Sequence, residues 1–277
     1  MDALVSQSQP SGIVEGGVLA IELRDLTVRF KSTTARPLLA VDRASFAVSP
    51  GEFVSIVGPS GCGKTTILNL LAGLLPEGSE GEIRVLDKSP FDGNPDIAYM
   101  LARDSLLPWR TTLGNAAYGM EIRNVGKNER EARAASLLNR VGLGDFVDNY
   151  PKALSHGMRQ RCALARTFAL DSRILLMDEP FGALDAQTKL QLEEVLMDLW
   201  SVERRTVLFV THDLAEAVAL SDRVIVLSAR PGTVVADVAI DLPRPRSVRA
   251  LQQQPHFHEL CARLWGLLER ARSDHDS

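Results

Sequence analysis

Apolar and polar positions along this chain repeat with two different periods, and the changes of period mark out its elements. Val18 to Phe30 alternates, with Leu19, Ile21 and Leu23 followed by Leu26, Val28 and Phe30, which predicts a strand. Lys31 to Pro37 is a polar loop, and Leu38 to Val48 predicts a second strand. Ser49-Pro50-Gly51 then turns the chain into Glu52 to Val57, a short, β-branched, apolar run expected to be a buried strand. A helix opens at Ile67 to Ala72 and is broken by Leu75-Pro76-Glu77-Gly78. Glu82 to Leu86 and Asp96 to Met100 are short strand candidates. From Asp104 to about Gly142 the period is helical, with runs at Thr112 to Arg123 and Lys127 to Val141, the second carrying Leu137, Leu138 and Val141 on one face. This block interrupts a strand–helix alternation and predicts an inserted helical subdomain.

The alternation resumes with a helix over Ser155 to Ala169 and an all-apolar strand, Ile174 to Met177, of the kind found inside parallel sheets. A helix over Ala186 to Glu203, with Leu192, Leu196 and Leu199 at helical spacing, leads to a strand at Thr206 to Val210. Leu214 to Leu220 is helical, and Arg223 to Leu227 and Val234 to Ile240 are strands. Pro243-Arg244-Pro245-Arg246 is expected to be a linker. A last helix starts near His256, with Phe257, Leu260, Leu264, Leu267 and Leu268 on its apolar side. Met1 to Gly17 is rich in Ser, Gln and Gly and is expected to be a disordered tail.

Onto this frame falls Gly58-Pro59-Ser60-Gly61-Cys62-Gly63-Lys64-Thr65-Thr66, which fits the phosphate-loop pattern G-x-x-x-x-G-K-[ST]. It lies between a strand and a helix, the context its chemistry needs. Glycines let backbone N–H groups turn inward around a polyphosphate, and the helix N-terminus adds partial positive charge. Lys64 is placed to reach β- and γ-phosphates, and the Thr65 hydroxyl to take one position on Mg²⁺. A second signal is Asp178-Glu179, at the tip of an apolar strand. Asp178 suits Mg²⁺, and Glu179, pointing elsewhere, suits the water that attacks the γ-phosphate. His212 closes another buried strand at the same carboxyl edge, where ligands bind in α/β folds. It is read either as a donor to the γ-phosphate or as a structural His. Phe30 reads either as a stacking platform for adenine or as a core or sheet-edge residue. Leu106-Leu107-Pro108-Trp109 opens the helical block, with Trp109 either an anchor for a partner or a plain core residue.

Composition narrows the classes. Apolar content of 45% and charged content of 24% are those of a soluble globular protein. A net charge of −4 gives no electrostatic reason to expect nucleic acid as a partner. No apolar run is long enough to span a bilayer, and no basic-then-apolar leader is seen at the start. Cys62, Cys162 and Cys261 match no zinc spacing and are expected to be reduced thiols in a cytoplasmic protein.

With these residues in place, the chain resembles the ATP-binding subunit of an ABC transporter over nearly its whole length. Leu154-Ser155-His156-Gly157-Met158-Arg159-Gln160-Arg161 is similar to the family signature, Ala183-Leu184-Asp185 to its D-loop, His212 to its switch histidine and Phe30 to its adenine-stacking aromatic. Leu106 to Trp109, with Arg230-Pro231-Gly232 through Arg246, resembles the nitrate/sulfonate/taurine branch of bacterial importers. The fold this implies is α/β, a P-loop NTPase (RecA-like) core with an N-terminal antiparallel β subdomain and an inserted helical subdomain. The ATPase domain would span 18–245, with the helical insert at about 103–165 and a C-terminal helical extension at 246–277.

The resemblance further implies a head-to-tail homodimer with ATP and Mg²⁺ between subunits, where Ser155, His156, Gly157 and Asp185 of one face the phosphate loop of the other. Leu107 and Trp109 would meet an integral-membrane permease at the cytoplasmic face of the membrane, with a periplasmic or lipoprotein substrate-binding protein as an indirect partner. ATP hydrolysis would power import of a small anion such as nitrate, an aliphatic sulfonate or taurine. The rival readings are a regulatory subunit with weak hydrolysis, the ATPase of a non-transport ABC protein, and an exporter's ATPase.

The chain departs from the family at two places. Ala102 stands where a glutamine is usual, which predicts slower hydrolysis or a substitute contact from Arg103 or Asp104. His156 replaces the first signature glycine, which fits easily only at a helix start.

Overall fold

The computed structural model describes residues 18–30, 37–75 and 79–273; the tail expected at Met1 to Gly17, most of the loop expected at Lys31 to Pro37 and most of the break expected at Leu75 to Gly78 lie outside these. Two sheets organise them. In the smaller, β1 (Ile21–Phe30) pairs antiparallel with both β2 (Leu38–Val48) and β4 (Ser79–Val85). The larger has the order β5-β6-β7-β3-β8-β9, formed by β3 (Phe53–Val57), β5 (Ile97–Met100), β6 (Ile174–Asp178), β7 (Thr206–Val210), β8 (Arg223–Leu227) and β9 (Val234–Ala239). Its pairings are parallel except β8 with β9.

The central strands β3, β6 and β7 are buried at every residue, which is why they read as continuous apolar runs. Their alternate side chains feed two different cores. Phe53, Leu175, Met177, Val207 and Phe209 point into one, shared with the helical block. Val54, Ile56, Ile174, Leu176, Leu208 and Val210 point into the other, shared with the antiparallel sheet and with α1 (Lys64–Leu71).

The helical block holds α2 (Thr112–Ile122), α3 (Lys127–Arg140) and α4 (His156–Ala169). Thr111 caps α2 by accepting from Gly114 N–H, and Ser155 caps α4 by accepting from Met158 N–H. Buried Asn115 accepts from Leu107 N–H at 2.7 Å and donates to the carbonyls of Leu107, Arg110 and Thr111, fixing the turn that precedes α2. Two further helices follow, α5 (Ala186–Glu203) and α6 (Leu214–Leu220), capped by Asp185 and Asp213.

The skip between Leu23 and Leu26 is a β-bulge, with Asp25 at φ 49°, which keeps Ile21, Leu23, Leu26 and Val28 in one core along a single strand. One expectation needs correcting. The expected linker at 243–246 is instead tied to the core. Arg246, 8% exposed, donates to the carbonyls of Ser221 (2.6 Å) and Leu242 (2.8 Å). Arg244 bonds Asp222 at 2.7 Å and stacks on the Trp200 ring at 4.1 Å. Beyond a short α7 (Val248–Leu251), α8 (Pro255–Ser273) buries Phe257, Leu260, Leu264 and Leu268 in the larger core. Among the described residues no helix is long and apolar enough to cross a membrane.

Candidate nucleotide-binding site

The loop 58–63 leaves β3 at the carboxyl edge of the larger sheet and ends in the first turn of α1. Gly63, the residue before α1, has φ 101°, and a Cβ there would lie 2.6 Å from Val41 Cγ2. Only glycine meets both conditions. Lys64 is buried, its ammonium donating to Gly58 O at 2.8 Å and Pro59 O at 3.1 Å, so the cation sits inside the curve of the loop. The Thr65 hydroxyl donates to Asp178 Oδ1 at 3.1 Å, joining the loop to the end of β6.

Burial pushes the Asp178 carboxyl above its usual range, with Glu179 adding to the rise and the Thr65 hydrogen bond and Lys64 opposing it. A nearby divalent cation would favour its ionised form. One hydroxyl and one carboxylate oxygen are too few to cage a metal alone. They suit a hard cation that takes its remaining ligands from phosphates and water, as Mg²⁺ does.

Glu179 follows at φ 44°, in the left-handed region. Its Oε2 lies 3.1 Å from His212 Nδ1. A carboxylate held by an imidazole at a strand end can orient a water and take its proton. The two side chains are partly exposed, at 34% for Glu179 and 58% for His212. An open cleft of about 240 Å³ is lined by Ser60, Gly61, Gly63, Lys64, Thr65, Thr66 and Glu179, with Phe30, Leu38, Ala40 and Arg230 on its other side. Phe30 is 36% exposed and faces this cleft, which decides against a core role. A larger concavity of about 580 Å³ opens at the amino ends of the strands, beside Arg173 and Thr206. None of the converging groups lies there.

Ser155, His156, Gly157 and Asp185 form a separate group. No described hydrogen bond joins them to the phosphate loop. Ser155 is the cap of α4 and His156 its first residue, without positive φ, so histidine fits there unstrained. Gly157 is the constrained position, because a Cβ would come within 2.6 Å of Thr188 Cγ2 in the first turn of α5. Asp185, exposed, accepts from Thr188 N–H at 3.0 Å, so the two turns are packed side by side. Trp109 is 70% exposed, not a core residue, and Leu107 beside it is half-buried. Ala102 and Arg103 are exposed, while Asp104 is committed to Arg159 of α4 at 2.9 Å.

Residues 41–182 match a family model described as ABC transporter. The chain belongs to the ABC transporter family. It is 42% identical to the taurine import ATP-binding protein TauB of Rhizobium johnstonii, covering 84% of this chain and 90% of that one. A putative ATP-binding protein of Brucella abortus is 47% identical over 82% of this chain and 86% of its own. The structure described as a dimeric form of MJ0796, a bacterial ABC transporter cassette, superposes with a TM-score of 0.71 at 30% identity, covering 80% of this chain and all of that one. An ABC ATP-binding domain binds ATP and hydrolyses it to drive transport, and the fold expected from the sequence is the fold found.

One part of this ABC ATPase was missed by reading its sequence. Behind His212, Lys189 of α5 lies 2.7 Å from Asp213 and 3.4 Å from Glu216, with Glu193 at 4.0 Å. Burial works against the charge of Lys189, but Glu216 and Asp213 hold its pKa above the usual range. Burial, then the Glu216 charge, push Glu193 up to about 8. Asp213-Leu214-Ala215-Glu216 has the spacing of a capping box, and Asp213 accepts from both Ala215 and Glu216 N–H. That spacing was the available signal. The three thiols are free, burial pushing Cys162 up to about 12 and Cys261 up to about 11.

Proposed function

We propose that this ABC ATPase is the energy-coupling subunit of an importer for a small anion of the nitrate, sulfonate or taurine class, working as a homodimer at the cytoplasmic face of a membrane-embedded permease. The observation that carries the catalytic part is the meeting of three groups at one sheet edge: Lys64 inside its loop, Thr65 against Asp178, and Glu179 against His212. The substrate class rests on likeness to proteins named for taurine import.

In this reading the loop amides and Lys64 hold the β- and γ-phosphates, and Phe30 stacks on the base. Thr65 and Asp178 hold Mg²⁺, which when bound neutralises developing phosphate charge. Glu179 takes the proton of the attacking water, and His212 keeps its carboxylate in place. Exposed Ser155 and half-buried His156 and Gly157 lie at a helix N-terminus, where N–H groups favour anions, and serve the γ-phosphate of the partner protomer, with Asp185 beside them. Leu107 and exposed Trp109 form the permease contact.

The test is phosphate release from Mg-ATP by the parent and by Glu179→Gln, with the solution mass of each. The expected result is turnover in the parent, a loss of about 100-fold or more in the variant, and an ATP-dependent dimer of the variant. Equal turnover in both would remove Glu179 from the chemistry. Uptake of radiolabelled taurine and nitrate by vesicles carrying the co-expressed permease tests the substrate class.

A further inference from the structure

The turn 228–233 is built firmly against the nucleotide cleft. Ser228 Oγ accepts from Thr233 N–H at 2.9 Å and lies 3.1 Å from Pro231 O, closing the turn. Gly232 N–H donates to Ala40 O at 2.9 Å, and Asp42 N–H donates to Gly232 O at 3.0 Å, so the turn is stitched to β2. A Cβ on Gly232 would lie 2.0 Å from Cys62 O, which places the turn in direct contact with the phosphate loop.

Arg230 projects from this turn onto the loop. Its Nε donates to Gly61 O at 3.0 Å, and Nη2 lies so near Gly61 that a Cβ there would be 2.7 Å away. Among the described residues its two Nη groups have no protein acceptor and no carboxylate partner. Among the described residues that line the cleft, Arg230 and Lys64 carry the cationic side chains. The charge of Arg230 also reaches the buried Cys62 thiol, where with Lys64 it opposes the rise caused by burial.

We propose that Arg230 is a nucleotide-binding residue, a second fixed cation whose free Nη groups donate to the polyphosphate of the bound nucleoside triphosphate. The inference rests on the ATP-site reading above. The Nε bond to Gly61 and the stitched turn hold the guanidinium in advance of binding, so little side-chain freedom is lost when a phosphate arrives. Arginine suits the position because its planar fork can bond the loop with one N–H and the ligand with others. The alternative is a clamp, in which Arg230 acts only through its bond to Gly61.

The experiment is calorimetric titration of full-length Glu179→Gln protein with Mg-ATP, alone and combined with Arg230→Ala, Arg230→Gln, Arg230→Lys or Lys64→Ala. Melting curves verify that each variant is folded. A charged hydrogen bond at a half-open rim predicts that Arg230→Ala and Arg230→Gln weaken binding about tenfold. Arg230→Lys, which keeps the charge without the fork, should bind more weakly than the parent and more tightly than Arg230→Ala, and the loss in the uncharged variants should shrink as salt rises. Full affinity in Arg230→Ala overturns the proposal. So does full affinity in Arg230→Gln, which keeps a donor for Gly61 without the charge. If Lys64→Ala also binds normally, the ATP-site reading itself falls.

Discussion

Glu193 should make this protein less stable as the pH rises, and replacing it with glutamine should remove that loss. Its carboxyl is 5% exposed. It faces Lys189 and Glu194 on its own helix, Asp213 at the cap of α6 and Glu216 within α6. The folded chain holds the Glu193 proton up to about 8, against an ordinary 4.5. Between those values the native state binds a proton that the unfolded chain has released. Stability from this group is therefore full below about pH 4.5 and falls as pH rises through about 8. At about 1.4 kcal/mol per pH unit the ceiling is about 5 kcal/mol. Lys189, Glu216 and Asp213 readjust when one member changes, so about 2 kcal/mol is the expected effect. Glutamine keeps the shape and cannot ionise. In urea unfolding, parent and Glu193→Gln should match near pH 4, with the variant about 2 kcal/mol more stable near pH 9. A difference that is the same at both ends, or a less stable variant at high pH, would refute the reasoning.

Three other outcomes are expected. Ala102→Gln should raise Mg-ATP turnover, since Asp104 is held by Arg159 and cannot replace a glutamine; unchanged phosphate release and metal dependence would end that argument. Asn115→Ala should free the turn carrying Trp109 and cost about 2 kcal/mol, read as a lower melting temperature and faster tryptic cleavage after Arg110. Arg246→Met should lower unfolding free energy by about 2–4 kcal/mol by leaving the carbonyls of Ser221 and Leu242 without a donor, and an unchanged denaturation midpoint would show that water can serve them instead.

The central strands were legible because burial on both faces leaves an unmistakable apolar run, as at Ile174 to Met177, and the helices because their apolar residues recur at helical spacing, as at Leu192, Leu196 and Leu199. The phosphate loop and Asp178-Glu179 were legible because their chemistry demands fixed spacing. What composition hid was side-chain destination. Pro243-Arg244-Pro245-Arg246 has the make-up of a loop, but its arginine stems lie over Trp200 and along the carbonyls that end α6. Trp109 and Phe30 could not be assigned to core or surface from their neighbours in sequence, because single aromatics carry no period. Lys189, Glu193 and Glu216 sit on two helices, and their meeting depends on a packing angle no local pattern contains.

The division of β3, β6 and β7 between two cores also governs how this molecule comes apart. A strand that serves two cores cannot release one without losing its hold on the other. The antiparallel sheet and the helical block are distant in sequence and differ in architecture, yet they share these three strands as a common wall. Slow amide exchange should therefore be concentrated at Val54 to Ile56, Leu175 to Met177 and Val207 to Phe209, and it should be lost in one step. Subdomains that look separable on paper are, in the physics of opening, a single unit.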